Sequence, residues 1–129
     1  SWTNTQIIDE SKVTVITYGP DVNKVIQKAK INNLPIRVVN ARFIKPLDTT
    51  MLENILSSDE KVIVYESDVM HGGLSSAILS YNNDYGFNKP LKRIGIKDHF
   101  VPQGSLGQLR KREKIDLTTL FEEIERMCK

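Results

Sequence analysis

Cysteine is almost absent from this chain of 129 residues, since Cys128 is the only one. A single cysteine cannot form a disulfide within the chain, so the sequence predicts a protein of a reducing, cytoplasmic compartment. Histidine is nearly as scarce, and neither His71 nor His99 has a cysteine or histidine at the spacing that zinc sites use. The sequence therefore predicts neither a disulfide nor a dedicated zinc site.

Long apolar runs and an excess of one charge are also missing. No apolar run approaches the ~20 residues that a membrane helix needs, and the first residues lack the basic start and apolar core of a signal peptide. Eighteen basic residues against sixteen acidic ones give a net charge of +2. This balance does not indicate binding to nucleic acid or to an anionic membrane, and neither partner is predicted.

Short apolar runs of strand length alternate with segments of helical periodicity along nearly the whole chain. The runs are rich in β-branched residues and are bounded by glycine, proline, asparagine or aspartate, as is typical of strands. Four strands are predicted on this basis, at Val13–Tyr18, Ile36–Val39, Lys61–Glu66 and Leu91–Ile96. The pair Ile7-Ile8 predicts a further short strand near the start.

Apolar residues at three- and four-residue spacing predict four helices, each with one apolar stripe for packing on a sheet. The stripes are Val22, Val25, Ile26 and Ala29; Met51, Leu52, Ile55 and Leu56; Leu74, Ala77, Ile78 and Tyr81; and Leu117, Leu120, Phe121, Ile124 and Met127. Asp21 and Asp48 are predicted N-caps, because a carboxylate there accepts hydrogen bonds from free backbone N–H groups. Ser105 with Gln108 fits a capping box.

Repeated strand–helix–strand units predict a three-layer α/β/α domain, with parallel strands covered by helices on both faces. Residues 13–129 are predicted to form this single domain. Residues 1–12 are predicted to be a connection from an upstream domain that includes the short edge strand.

The loop of sequence ESDVMHGG, residues 66–73, is the most suggestive place for chemistry, because it follows a predicted parallel strand. Gly72 and Gly73 open a helix whose free N–H groups can bind an anion. His71 can act as an acid or a base near neutral pH, and Glu66 ends the strand. The glycines also fit a second interpretation, a tight turn with close helix–sheet packing, since the chain lacks a G-x-G-x-x-G or P-loop pattern.

Two other polar groups are weaker candidates. Asp68, His71 and Ser75 are the residue types of a hydrolase triad, but they are too close in sequence and no nucleophile elbow is present. The basic run of residues 110–114 has no interleaved aromatic residues and contains an acid, so a solvated helix end is predicted there.

Arg42 and Lys45 flank Phe43 and Ile44 directly after a predicted strand. Apolar residues between charges are typical of a protein interface, and the two basic residues also fit an anion or an acidic partner. These residues alone provide a scaffold without a convincing catalytic set. Such an α/β domain is typical of a structural or interface module of a larger enzyme.

The segment Val38–Asp48, VVNARFIKPLD, strongly resembles the C-terminal domain of the 1-deoxy-D-xylulose-5-phosphate synthase family, thiamin-diphosphate enzymes of the transketolase superfamily. The resemblance continues through KVIVYES, the GG-x-x-SA-x-L pattern of Gly72–Leu79, and IGIKDHFVPQGS at Ile94–Ser105. It covers most of the chain, from residue 7 to residue 128. Transketolases and pyruvate dehydrogenase E1 β subunits generally keep only the Pro-Leu-Asp-like end of the first motif.

This resemblance implies a five-stranded mixed sheet, with the first strand antiparallel and four parallel strands. It implies a part in the decarboxylating condensation of pyruvate with glyceraldehyde 3-phosphate, which feeds isoprenoid and thiamin biosynthesis. In such enzymes the first two domains hold thiamin diphosphate and Mg²⁺. The resemblance therefore implies no catalytic, cofactor-binding or metal residue in this chain, and it implies that this chain alone is inactive.

The implied partners are the upstream domains of the same chain and a second subunit in a homodimer. The candidate interface or anion-contact residues are Arg42, Phe43, Lys45, Glu66, His71, Gly72 and Gly73. Two alternatives stay open. The first is a free-standing small-anion or nucleotide-binding module that uses the paired glycines and Arg42. The second is the equivalent domain of a transketolase or an E1 β subunit.

Overall fold

The computed structural model of the chain describes residues 1–43, 46–66, 73–95 and 106–129, with residues 106–115 as helix backbone only. The strands are β1 (Thr3–Gln6), β2 (Val13–Thr17), β3 (Ile36–Asn40), β4 (Lys61–Glu66) and β5 (Leu91–Gly95). The helices are α1 (Asp21–Ile31), α2 (Thr49–Leu56), α3 (Leu74–Asp84) and α4 (Leu106–Cys128). No helix within these ranges is both long and apolar enough to cross a membrane.

The five strands form one mixed sheet in the order β1-β3-β2-β4-β5. β1 runs antiparallel to β3, whereas the pairs β2–β3, β2–β4 and β4–β5 are parallel. The predicted sheet, with an antiparallel first strand and four parallel ones, is confirmed.

Alternating side chains of the strands build two cores, one on each face of the sheet. Val13 and Val15 of β2 face α1 and α4, and they share a buried cluster with Val25 and Phe121. Ile16 points to the other face, where α2 and α3 contribute the rest of a second cluster. The predicted three-layer α/β/α arrangement is confirmed.

The edge strand lies earlier than the sequence predicts, because β1 is Thr3–Gln6 and not Ile7-Ile8. An edge strand pairs on one side only and faces water, so its polar sequence TNTQ needs no apolar alternation. Burial comes instead from the residue before it, since the Trp2 side chain is only 2% exposed. Ile7 still donates its backbone N–H to the Ile36 carbonyl at 3.0 Å, just beyond the strand.

The three predicted caps have different outcomes. Asp48 is confirmed as the N-cap of α2, because its side chain accepts the Met51 N–H. Asp21 is wrong as a cap: Pro20 takes that position without a side-chain cap bond, and α1 begins at Asp21. The ring of Pro20 presets a helical φ of −63°, so the acid moves into the first turn, where it still favours the helix dipole. Ser105 lies outside the described residues.

Candidate functional site

The carboxyl ends of the four parallel strands meet at one edge of the sheet, which we call the carboxyl edge. Ligands of open α/β sheets bind at this edge, next to the point where the strand order reverses. Here the order reverses between β2 and β4, which end at Thr17 and Glu66. Because β1 is antiparallel to β3, with Thr3 opposite Asn40, the N-terminal residues also lie at the carboxyl edge.

Glu66 caps helix α3 from the end of β4. Its side chain is buried at 8% exposure, and its Oε1 accepts the backbone N–H of Leu74 at 2.8 Å. Its Oε2 accepts the Ser75 hydroxyl. The N-cap position itself is Gly73, which has no side chain to make this bond. A buried carboxylate at this helix start is stabilised by its two donors and by the helix dipole.

This cap bears on the two interpretations of the paired glycines. Gly73 has a φ of +113°, a conformation that suits glycine and that the turn into α3 requires. The Glu66 carboxylate occupies the Leu74 N–H that an external anion would use, and its charge repels such an anion. The described part of the loop therefore favours the tight turn. His71 and Gly72 lie outside the described residues, so their predicted roles stay predictions.

Gly95, in the neighbouring strand β5, allows the backbones of β4 and β5 to approach closely at Glu66. The two residues are paired between β4 and β5, and Gly95 has a φ of +125°. A Cβ atom at Gly95 would lie 1.9 Å from the carbonyl oxygen of Glu66. Only glycine permits this approach. The Ile-Gly-Ile pattern therefore has a steric reason, which the sequence analysis did not identify.

The loop after β3 presents two of the predicted interface residues. Arg42 is exposed, and the Phe43 side chain is 39% exposed. The indole N–H of Trp2 donates to the Phe43 carbonyl at 2.9 Å, and the backbone N–H of Trp2 donates to Asp48 Oδ2 at 2.9 Å. Trp2 thus bonds to this loop at Phe43, three residues after β3, and at Asp48, directly before α2. Lys45 lies outside the described residues.

Asp48 is an anion held by two separate parts of the chain. Besides the bond from Trp2, its Oδ1 accepts the Met51 N–H at 3.0 Å. The N–H groups of Met51 and Trp2 lower the pKa of the Asp48 carboxyl, the positive N-terminus adds to this, and partial burial opposes it. Asp48 is therefore charged at neutral pH.

Sequence reasoning missed the contribution of Trp2, because residues 1–12 were interpreted as a connection. The available signal was the presence of the chain's single tryptophan at position 2. A side chain of this size is seldom left in water, and its N–H needs an acceptor when it is buried. Ser75 was considered only as a triad member, whereas its hydroxyl serves the Glu66 cap.

The predicted site residues form two groups and not one cluster. Arg42 and Phe43 follow β3, whereas Glu66 and Gly73 lie beside β4, and β2 separates these strands by two spacings of about 5 Å each. Within the described ranges, no three histidine, cysteine, aspartate or glutamate side chains converge as metal ligands do. The described residues, with the Glu66 carboxylate at the glycine start of α3, do not fit a thiamin diphosphate–Mg²⁺ site.

Known sequences match almost the whole chain. A family profile described as "Transketolase, C-terminal domain" matches residues 5–119. A protein of Clostridium tetani named 1-deoxy-D-xylulose-5-phosphate synthase is 31% identical over 122 residues, and a protein of the same name from Lysinibacillus sphaericus is 35% identical over 123 residues. Each alignment covers 92% of this chain but only 20% and 19% of the two relatives. The chain therefore spans about a fifth of their length.

Two solved structures share the fold. A chain described as "Split gene transketolase, inactive beta4 tetramer" gives a TM-score of 0.69 at 21% identity, over 98% of this chain and 43% of that one. The 2-oxoglutarate:ferredoxin oxidoreductase of Magnetococcus marinus gives a TM-score of 0.54 at 15% identity, over 87% of this chain and 19% of that one. The sequence matches confirm the resemblance drawn from Val38–Asp48, and the two structures confirm the fold.

Proposed function

Because this chain belongs to the transketolase C-terminal domain family, we propose that it is the third domain of a 1-deoxy-D-xylulose-5-phosphate synthase. The relatives that carry this name match most of the chain, and at 31% and 35% identity they share more with it than the transketolase structure does at 21%. In the proposed enzyme, pyruvate and glyceraldehyde 3-phosphate condense with loss of CO₂, a transferase reaction for isoprenoid and thiamin biosynthesis in the cytoplasm.

The proposed role of this chain is to dock on the rest of the enzyme and to contribute to a homodimer. One observation supports it most directly, the presentation of Phe43 beside Arg42 at the carboxyl edge. We call these two residues the docking surface. A half-exposed aromatic ring next to a guanidinium is the composition found at the centre of protein interfaces. The Trp2 hydrogen bond holds the backbone of Phe43 in place, which reduces the entropy lost on docking.

The cofactor is proposed to lie in the other domains of the enzyme, with Mg²⁺ on its diphosphate. When bound there, thiamin diphosphate would supply the carbanion stabilisation that the decarboxylating condensation needs. The residues described here support this division of labour, because Glu66 repels a phosphate from the start of α3. The same observation counts against the alternative of a free-standing anion-binding module.

A chimeric enzyme tests the proposal. This chain would replace the aligned segment of the Clostridium tetani relative, and product formation from pyruvate and glyceraldehyde 3-phosphate would be measured beside the unmodified relative. We expect activity within about tenfold of the relative, since one domain interface is changed. A chimera that folds with normal thermal stability but forms no product would contradict the assignment.

The docking surface is tested in the same chimera with Phe43→Asp. A carboxylate placed in an apolar interface must be desolvated, so we expect weaker dimerisation and a loss of activity. The matched control is Tyr85→Asp, because Tyr85 is an exposed aromatic residue at the C-terminal end of α3, whereas the N-terminal end of α3 lies at the carboxyl edge. Equal effects of the two substitutions would show that Phe43 has no special role in docking.

A further inference from the structure

We propose that Trp2 is a positioning residue, which couples the pairing of edge strand β1 to the shape of the docking surface. The docking surface exists in its docking-competent form only while β1 is paired with β3. This inference rests on the proposed function, in which Arg42 and Phe43 meet the rest of the enzyme. It adds Trp2, a residue outside the docking surface, and it gives a physical reason why Trp2 controls the shape of that surface.

Backbone pairing with β3 holds the edge strand, and side-chain burial is concentrated in the residues at its two ends. Thr3, Asn4 and Gln6 are exposed, so β1 itself buries almost nothing. Trp2 is 2% exposed and packs in the cluster that α2 and α3 form on their face of the sheet. Edge strands with few buried side chains open at low free energy, and Trp2 therefore decides how often this one is open.

Trp2 forms two hydrogen bonds to the loop between β3 and α2, one at Phe43 and one at Asp48. Its indole N–H reaches the carbonyl of Phe43, and its backbone N–H reaches Asp48, directly before α2. Both bonds come from one residue, so opening of β1 breaks both at once. Near β3 the loop then keeps the Ala41 N–H bond to the Thr17 carbonyl at 2.8 Å and the Arg42 N–H bond to the Asn40 carbonyl at 3.0 Å. At its other end Asp48 keeps the Met51 N–H, so Phe43 lies between the two parts of the loop that stay bonded.

Limited digestion with trypsin tests this coupling on the whole chain. Trypsin cleaves after Arg42, but it does not cleave after Lys45, because Pro46 follows. In Trp2→Phe a smaller aromatic ring remains while the indole N–H is lost. We expect cleavage after Arg42 to become about fivefold faster, since the rate follows the population of the open loop and one hydrogen bond is lost.

Cleavage after Lys24, the fourth residue of α1, serves as the internal reference for global unfolding. The matched control is Tyr81→Phe, which removes one side-chain donor from the same buried cluster, the hydroxyl that bonds to Glu53 at 3.3 Å. We expect the ratio of Arg42 to Lys24 cleavage to rise in Trp2→Phe and to stay unchanged in Tyr81→Phe. Equal ratios in the two variants would overturn the proposal.

The two proposals fail separately. If Phe43→Asp leaves the chimeric enzyme fully active and dimeric, the docking surface is wrong, whatever the trypsin ratio shows. If Phe43→Asp weakens the dimer but Trp2→Phe changes neither dimerisation nor the cleavage ratio, the docking surface stands and the positioning role of Trp2 is overturned. Support requires that Trp2→Phe raises the ratio and weakens the dimer together.

Discussion

At the scale of single residues, Asp48 uses each of its two oxygens for a different backbone N–H group. One bond caps α2 and spans three residues, and the other joins α2 to Trp2 across 46 residues. In asparagine an NH₂ group, which cannot accept a hydrogen bond, replaces one of these oxygens, so in this geometry one of the two N–H groups loses its acceptor. The carboxylate is therefore needed chemically and not only as a generic cap.

Asp48→Ala tests this double role. Loss of the cap alone costs about 1 kcal/mol, and loss of the Trp2 bond adds to this. We expect the midpoint of thermal denaturation to fall for Asp48→Ala and to fall less for Asp48→Asn. Asp59→Ala is the matched control, because Asp59 is exposed in the turn after α2. If the midpoints of the Asp48→Ala and Asp59→Ala variants are equal, the cap contributes nothing.

The same carboxylate makes stability depend on pH. Its pKa in the folded chain is lowered, chiefly by the Met51 N–H and then by the Trp2 N–H, whereas the unfolded chain has the ordinary value of about 3.9. A lowered folded pKa stabilises the fold above the unfolded value, and this contribution is lost as the pH falls through the folded pKa. The stability difference between wild type and Asp48→Asn should therefore be constant near neutral pH and shrink below about pH 4.

Gly95 is required by the close approach of two strands, and a comparison of two glycines tests this. Gly95 and Gly86 both have positive φ angles, but a Cβ atom meets the Glu66 carbonyl only at Gly95. We expect Gly86→Ala to cost about 1 kcal/mol for backbone strain and Gly95→Ala about 3 kcal/mol, because overpacking is added. Urea denaturation measures both. Equal losses in the free energy of unfolding for the two variants would mean that β4 and β5 can move apart without cost.

Whether a side-chain contact could be predicted depends on how far apart its two residues lie in the sequence. The Asp48 cap could be predicted, because donor and acceptor lie three residues apart and follow a known pattern. The Glu66 cap joins residues eight apart across a turn, and the Trp2 bonds join residues more than 40 apart. No local pattern shows such pairs, so the site was only partly predictable.

At the scale of whole elements, the buried strands were predictable and the edge strand was not. β2, β3 and β4 are buried on both faces, so their apolar runs identify them directly. β1 pairs on one side through its backbone, and polar residues suit it equally well. An apolar pair such as Ile7-Ile8 is therefore a poor indicator of an edge strand.

A buried ion pair joins several of these elements on the α2 face. Arg37, in β3, donates from Nε to Thr14 Oγ1 at 2.9 Å and from Nη1 to Asn54 Oδ1 at 3.2 Å. Its Nη2 lies 3.0 Å from Glu60 Oε2, and the two side chains are 10% and 17% exposed. The segment IRVV places the charged Arg37 inside a buried strand. Because a buried charge needs a partner, this residue indicated that an oppositely charged side chain lies beside it.

Removal of one member of this pair should cost more than removal of both. Arg37→Met leaves Glu60 partly buried without its main partner, at about 3 kcal/mol. We expect urea denaturation to show a smaller loss for the double variant Arg37→Met/Glu60→Met. The control is Lys92→Met, because Lys92 is an exposed charge on β5 and its substitution should cost less than about 1 kcal/mol. A double variant less stable than Arg37→Met would contradict this prediction.

At the scale of the whole molecule, the alternation of strands and helices was sufficient to predict the three layers and the parallel sheet. The sequence predicts no catalytic set, and the polar groups described at the carboxyl edge have structural partners. Glu66 and Ser75 are engaged in a helix cap, and Asp48 in a cap and a loop contact. These polar groups at the carboxyl edge stabilise the domain and the shape of its loops.

Self-association of the chain is expected, because the docking surface is uncovered when the chain is studied alone. A small interface binds weakly, so sedimentation should show a concentration-dependent mixture of monomer and dimer. Phe43→Asp should reduce the dimer, whereas Tyr85→Asp, at the opposite end of α3, should not. A strict monomer at high concentration would count against a homodimer contact at the carboxyl edge.

The last prediction concerns the cofactor. A thiamin diphosphate site needs a phosphate cradle and a metal-binding set side by side, and the described residues have the Glu66 carboxylate at the glycine-led helix start instead. We expect calorimetric titration of this chain to show no binding of thiamin diphosphate with Mg²⁺ at millimolar concentration, and no consumption of pyruvate with glyceraldehyde 3-phosphate. Glu66→Gln is the matched variant, because it removes the repelling charge while keeping one acceptor for the Leu74 N–H. Tight cofactor binding by the unchanged chain would overturn the structural role proposed for it, and tight binding of a nucleotide would favour an anion-binding module.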